Sequence, residues 1–287
     1  MCGLIFVILF ILLVLFLSSL VYPLPVNDSG LMRYRTVPWS TMFLIMVNAV
    51  IFVLWTAPDM YQVSEGGTEV ELSPAYLNKI YYYGYSEYAV INGAGVGAFS
   101  TFSSTFMHAN FWHLFGNMIY LWTFGRRVED ACGSWRFLVF YLLAGMVASM
   151  GSVLFRPGVD FIPSIGSSGA ISGVMGAYLL LFWNAKIDCL WGAASVLRFP
   201  VALVKAIPHK HDDDYKIWRW TVTVPAWVVL IWFVFQNFIP SLEAIQNKGC
   251  ACGVNYLAHF CGVVSALTVF LFVRKDLLIR YVYGRHL

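Results

Sequence analysis

The sequence predicts an all-α polytopic membrane protein, and three observations carry that prediction. Hydrophobic residues fill 60% of the 287 positions and charged residues only 11%, whereas a soluble domain carries about 25% charge. The apolar residues gather in windows free of charge, each approaching the roughly 20 residues that cross about 30 Å of hydrocarbon as a helix. Lys and Arg gather on alternate loops. The formal charge of +3 is too small to point to nucleic acid as a partner.

Residues 1–27 hold no charged side chain, and their apolar run is densest over Leu4–Val21. No basic segment precedes this run and no small-x-small cleavage site follows it, so it reads as an uncleaved span, not a signal peptide. The next windows are Val37–Trp55, Phe111–Gly125, the stretch between Arg136 and Arg156, the stretch between Ser168 and Ala185, Trp220–Pro240 and Asn255–Val273. Cys189–Pro208 is apolar too, but Arg198, Pro200, Lys205 and Pro208 interrupt it. That pattern predicts a helix lying on the membrane surface. The longest segment between spans is an outer loop, Ala57–Gly97.

If the N-terminus lies outside, 15 of the 18 Lys and Arg fall in inside loops and the inside tail. Only Lys79, Arg156 and Lys248 fall outside. The expectation is an integral protein of the cell membrane with a cytoplasmic C-terminus.

This topology gathers polar residues at one depth. Ser168 opens a span running from outside to inside, in the tetrapeptide Gly166-Ser167-Ser168-Gly169. His259 lies near the start of another such span, and His113 and Asn117 near the start of a third. Polar side chains in hydrocarbon are costly and mark function by default. Gly169, Gly173 and Gly176 form one stripe of small residues, and Ala258, Gly262 and Ala266 another. Such stripes let helices approach closely in lipid. A hydroxyl and an imidazole can then meet at about 2.6–3.2 Å. His113 and Asn117, four apart on one helical face, present N–H groups suited to an oxyanion. The dipole of the Ser168 helix adds to the same field.

His108-x4-His113-x3-Asn117, Gly166-x-Ser168-Gly169 and Ala258-His259-x-x-Gly262 resemble the three signatures of rhomboid intramembrane serine proteases, in the family's order. The resemblance implies a six-helix core at 36–278 with a Ser–His dyad and no third acid. An extra N-terminal transmembrane helix and short loop at 1–35 would precede it, and a tail at 279–287 would follow. It implies Ser168 as nucleophile and His259 as general base. His113, Asn117 and the Ser168 amide would form the oxyanion hole, with His108 supporting the site. Gly166, Gly169 and Gly262 belong to the matching motifs. Glu129 matches an acidic residue that stabilises helix packing on the cytoplasmic side. Four residues after the nucleophile, where some members stack an aromatic ring on the histidine, this chain has Ser172. The Trp-Arg pair often present in the family's first loop is also missing.

The function so implied is cleavage of transmembrane protein substrates near the outer leaflet, with membrane lipids as the surroundings and no cofactor or metal. Two other readings stand beside it: an inactive rhomboid-like protein that binds membrane clients, and a transporter with glycine-broken helices. His209-Lys210-His211 before Asp212-Asp213-Asp214 matches no metal-ligand spacing and reads as a solvated loop. Cys250-x-Cys252 faces the outer compartment with its redox state open. Cys2, Cys132, Cys189 and Cys261 give no disulfide framework.

The topology predicts that a single cysteine placed at the N-terminus, on a cysteine-free background, reacts with an impermeant outer reagent, while one at the C-terminus does not. An intact but protected N-terminus overturns the seven-span reading.

Overall fold

The computed structural model describes residues 24–28, 37–63, 70–155, 163–190, 221–247 and 256–273. In chain order these form strand β1 (Leu24–Asp28), helix α1 (Trp39–Ile51), strands β2 (Tyr61–Val63) and β3 (Val70–Leu72), and helices α2 (Pro74–Tyr83) and α3 (Glu87–Asn92). The single turn α4 (Ser100–Ser103), α5 (Phe111–Tyr120), α6 (Arg126–Cys132), α7 (Ser134–Phe155) and α8 (Ser168–Phe182) follow. Strands β4 (Lys186–Leu190) and β5 (Val222–Pro225) then lead to helices α9 (Ala226–Asn247) and α10 (Tyr256–Val273). The expected first span, Leu4–Val21, lies outside the described residues. So do His209–Asp214, Cys2, Cys250 and Cys252.

The described chain is mostly helical, and its helices are apolar. Trp39–Asp59 and Ser134–Gly151 are each long and apolar enough to cross a bilayer, and Ser168–Phe182, Ala226–Phe238 and Tyr256–Ala266 are shorter apolar helices. On α1, Trp39, Phe43, Met46 and Val50 are exposed, whereas Ser40, Thr41, Leu44 and Asn48 are buried. This apolar-out, polar-in arrangement suits a lipid surround, where a polar side chain must turn toward protein.

The contacts divide the chain into two compact units, residues 1–31 with 184–229, and residues 32–183 with 230–287. The first holds an antiparallel sheet in the order β1-β4-β5, with Cys189 opposite Val222 and Leu190 opposite Leu24. This sheet corrects two expectations. Cys189 and Leu190 do not begin a surface helix but end a strand, in which Ile187 and Cys189 are buried and Lys186 and Asp188 are not. That alternation has the two-residue period of a strand, and residues 191–208 lie outside the described residues. The span expected from Trp220 becomes helical only at Ala226. Val222, Thr223 and Val224 are β-branched, and Pro225 biases Val224 toward extended backbone. The Thr223 hydroxyl donates to Asp188 Oδ1 at 2.8 Å.

In the second unit the outer loop is more ordered than the sequence implied. β2 and β3 pair antiparallel. Ser73 and Ser86 cap α2 and α3, their hydroxyls accepting from the amides of Tyr76 and Ala89 at 3.1 Å each. Lys79 holds the Asp59 carboxylate and donates to the Trp55 carbonyl.

The packing that sets the site lies among α7, α8 and α10. Hydrocarbon gives helices no solvent-driven reason to associate, so close van der Waals fit must do so. A methyl on Gly173 would meet Ala144 Cβ at 2.6 Å, and one on Gly176 would meet the Val263 carbonyl at 2.9 Å. A methyl on Gly262 would collide with the Gly169 carbonyl oxygen and stand 3.1 Å from Ser172 Cβ. Backbone cannot give way as a side chain can, so α8 and α10 would have to separate. Gly262→Ala is expected to lower the melting temperature in detergent by an overpacking cost of about 1–3 kcal/mol. Gly116→Ala, where nothing lies within 4 Å of the added methyl, should leave it unchanged or slightly raised.

Candidate active site

Ser168 is the first residue of α8, and the chain reaches it through a fixed turn. Ser164 exchanges backbone bonds with Tyr85, at 2.9 and 2.6 Å, and the Gly166 amide donates to the Ser104 carbonyl at 2.9 Å. Gly166 has φ +122°, a conformation that side chains rarely tolerate. A Cβ there would also stand 2.7 Å from His113 Cε1. Glycine is thus required twice, by the backbone and by the imidazole against it. Ser167, although at the cap position, uses no side-chain bond to cap α8. Its hydroxyl lies 3.2 Å from His108 Nε2 instead, both residues being fully buried. Burial, with His113 adding to it, holds the His108 imidazole far below the ordinary histidine range, at about 3. His108 is therefore neutral at physiological pH and stands one layer behind Ser168.

The close approach of α8 and α10 brings Ser168 Oγ and His259 Nε2 to 2.6 Å. This is hydrogen-bond contact between a hydroxyl and the nitrogen that would take its proton. Across a cavity of about 440 Å³, His113 and Asn117 line the same space as Ser168 and His259. The Asn110 side chain caps α5 by accepting from the His113 amide at 2.9 Å, which sets where His113 and Asn117 begin their turn. His113 Nδ1 accepts from the Ala109 amide at 3.4 Å, so the ring's proton belongs on Nε2, the atom beside Gly166. Asn117 Nδ2 is buried and has no acceptor among the described residues. The Ser168 amide, in the first turn, has no acceptor within its own helix. Three N–H groups are thus arranged around one cavity with donor capacity to spare.

Two residues at the site escaped sequence reasoning. Asn237 of α9 places Oδ1 2.8 Å from His259 Nδ1. Phe233, one turn earlier, stacks on the imidazole with ring centres 6.1 Å apart and planes at 29°. The aromatic face that Ser172 cannot supply comes from a different helix. Ser172 itself donates to the Ser168 carbonyl at 2.7 Å. The signal was present, since Asn237 is an amide inside a charge-free apolar window, costly in hydrocarbon unless bonded. Among the described residues no group of three or more His, Cys, Asp and Glu side chains is placed to hold a metal.

Glu129 lies apart from this cavity. Its Oε1 accepts from the Ser40 amide at 2.9 Å, and its Oε2 from the Thr41 amide at 2.8 Å and the Thr41 hydroxyl at 2.7 Å. A carboxylate that is 1% exposed thus occupies the N-terminus of α1, where the helix dipole favours negative charge and no side chain caps the helix from its own sequence.

The rhomboid domain family matches residues 96–276, from the end of the outer loop through α10. The chain belongs to the rhomboid family. It is therefore an integral membrane protein. It is 29% identical over 159 residues to rhomboid protein 1, mitochondrial, of Saccharomyces cerevisiae, covering 54% of this chain and 40% of that one. It is 45% identical over 73 residues to rhomboid protease GluP of Bacillus subtilis, covering 25% and 14%. It is 31% identical over 173 residues to presenilin-associated rhomboid-like protein A, mitochondrial, of Danio rerio, covering 56% and 38%. The chain spans less than half the length of these curated relatives.

Glu129→Ala leaves two backbone amides and a hydroxyl unsatisfied in the core and is expected to cost roughly 3–5 kcal/mol. A chemical or thermal unfolding curve of the detergent-solubilised protein checks this. A loss under about 1 kcal/mol, within the range of an ordinary surface substitution, would reject the capping account.

Proposed function

We propose that this rhomboid is an intramembrane serine endopeptidase that cleaves transmembrane segments of membrane proteins near the outer leaflet. The observation that carries the reading is the 2.6 Å contact between Ser168 Oγ and His259 Nε2, in a cavity that also presents His113 and Asn117. Ser168 Oγ attacks the peptide carbonyl as its proton passes to His259 Nε2. Negative charge on the tetrahedral oxygen is met by His113 Nε2–H, Asn117 Nδ2–H and the Ser168 amide, preorganised donors in a low-dielectric site. His259 returns the proton to the leaving amine, and a water activated the same way releases the acyl group. A helical peptide bond is shielded by its own turn, so the substrate must unwind locally, helped by small or helix-breaking residues near the cut. No cofactor is needed, and membrane lipids are the only other partners this chemistry requires.

The protease core in this reading is 36–278, preceded by an extra span and short loop at 1–35 and followed by the tail at 279–287. The 15-to-3 division of Lys and Arg supports an outside N-terminus and a cytoplasmic C-terminus, and the proposed host is a cell membrane.

A serine-reactive fluorophosphonate should label Ser168 in the folded, detergent-solubilised chain, and labelling should fall sharply in His259→Ala, which keeps the serine but removes its base. Equal labelling of the wild type and Ser168→Ala sinks the assignment. Asn117→Ala and His113→Ala should slow cleavage by about 10²–10³-fold without abolishing it, and their effects need not multiply because they share one oxyanion. An Asn117→Ala protein that melts much earlier, yet whose folded fraction cleaves at full speed, would make Asn117 a packing residue only.

A further inference from the structure

A lone Ser–His pair leaves open what decides the protonation of the imidazole. A neutral imidazole carries one proton on either nitrogen, and only the form with Nε2 bare can take a proton from Ser168. The other face of the ring therefore controls reactivity.

That face belongs to α9. Asn237 is buried, at 5% exposed, and its two amide atoms have different partners. Nδ2 donates to the Phe233 carbonyl at 2.7 Å, one turn back in the same helix. This bond requires nitrogen on that side, because the amide oxygen carries no hydrogen to donate to a carbonyl. The atom 2.8 Å from His259 Nδ1 is thus Oδ1, which has no hydrogen to give and can only accept. His259 Nδ1 must then carry the proton, and Nε2 is left bare toward Ser168 Oγ at 2.6 Å. One further contact holds the arrangement: Phe233 stacks on the imidazole, which restricts tilting of the ring. The Ser241 hydroxyl donates to the backbone carbonyl of Asn237 within the same helix. Phe233, Asn237 and Ser241 are four residues apart, which puts them on one face of α9.

We infer that Asn237 is a positioning residue that fixes His259 in the tautomer with Nδ1 protonated, turning the Ser168–His259 pair into a Ser–His–Asn relay spread over α8, α10 and α9. The inference rests on the protease reading for its kinetic consequence, but the tautomer itself does not. An amide does this work without placing a third acid in hydrocarbon, where a carboxylate would be costly. It also stabilises the imidazolium formed during attack, since the negative end of its dipole faces Nδ1–H. Among the described residues the other titratable group acting on His259 is His113, across the cavity.

The test measures the fluorophosphonate labelling rate of Ser168 against pH in the full chain, with melting temperature read on each variant. Asn237→Leu removes the acceptor while keeping the volume. Labelling should slow by about tenfold to a hundredfold, the loss of one hydrogen bond to a charged group. Its acidic limb should move to lower pH, because an imidazolium without its acceptor gives up its proton more readily. Asn237→Asp should label well and move the limb to higher pH, since a carboxylate favours the imidazolium further. An Asn237→Leu protein that labels at the wild-type rate overturns the inference. So does one slowed by the same factor at every pH with the limb unmoved, which is the mark of packing alone. If Asn237→Leu does not fold, an unmoved limb in Asn237→Asp overturns it. Nitrogen-15 NMR of histidine-labelled protein, with His259 assigned through His259→Asn, reads the tautomer without catalysis. A wild-type Nδ1–H signal that becomes mixed in Asn237→Leu is expected, and a wild-type Nε2–H signal overturns the inference. Failure of Ser168 to label in the wild type, with the Nδ1–H tautomer intact, would instead strike the protease reading and leave the positioning role standing.

Discussion

The approach of α8 and α10 at Gly169 and Gly262 is the contact on which the site depends. A methyl group on Gly262 has no room against the Gly169 carbonyl, so the two backbones are as near as chemistry allows. In a bilayer such nearness has to come from shape, because lipid is as apolar as the side chains that face it. Bulkier residues along this seam would hold the helices farther apart, and Ser168 and His259 would lose their 2.6 Å contact. The small residues thus set a distance as well as a packing density.

Several polar atoms around this seam are paired. His108 meets Ser167, the Ala109 amide meets His113, and Asn237 meets His259. Among the described residues two buried nitrogens of this cluster, Asn117 Nδ2 and His108 Nδ1, have no hydrogen-bond partner. A buried donor without a partner is expensive, and under the proposed protease reading an oxyanion would offset that cost at Asn117.

The motifs were legible because they combine residue types that hydrocarbon tolerates poorly. Ser168, His259, His113 and Asn117 stand out against apolar windows, and the alternation of charged loops placed them at one depth. Asn237 stands in a window just as apolar but has no motif around it, and hydropathy alone does not separate a bonded amide from a buried one. Phe233 is one aromatic among many, and only the crossing of α9 and α10 makes it the partner of an imidazole. The strands were missed for a different reason. Val222-Thr223-Val224 sits inside an apolar window and Cys189 opens another, and hydropathy averaged over a window carries no two-residue period; Lys186 and Asp188 beside Ile187 lie between windows. The helices of the outer loop announced themselves in Ser73-Pro74 and Ser86-Glu87, signals that a search for spans passes over.

Glu129 has a consequence for how the molecule is made. Its carboxylate accepts from the amides of Ser40 and Thr41, residues 89 and 88 positions earlier in the chain. A ribosome delivers those donors long before their acceptor, so α1 enters the membrane with its first turn bare. Headgroups and water at the interface must serve that turn until α6 emerges. The seating of α1 is therefore a late event in biogenesis, completed when a carboxylate displaces these temporary partners. Damage at position 129 would then slow maturation and expose the chain to quality control, besides weakening the finished protein.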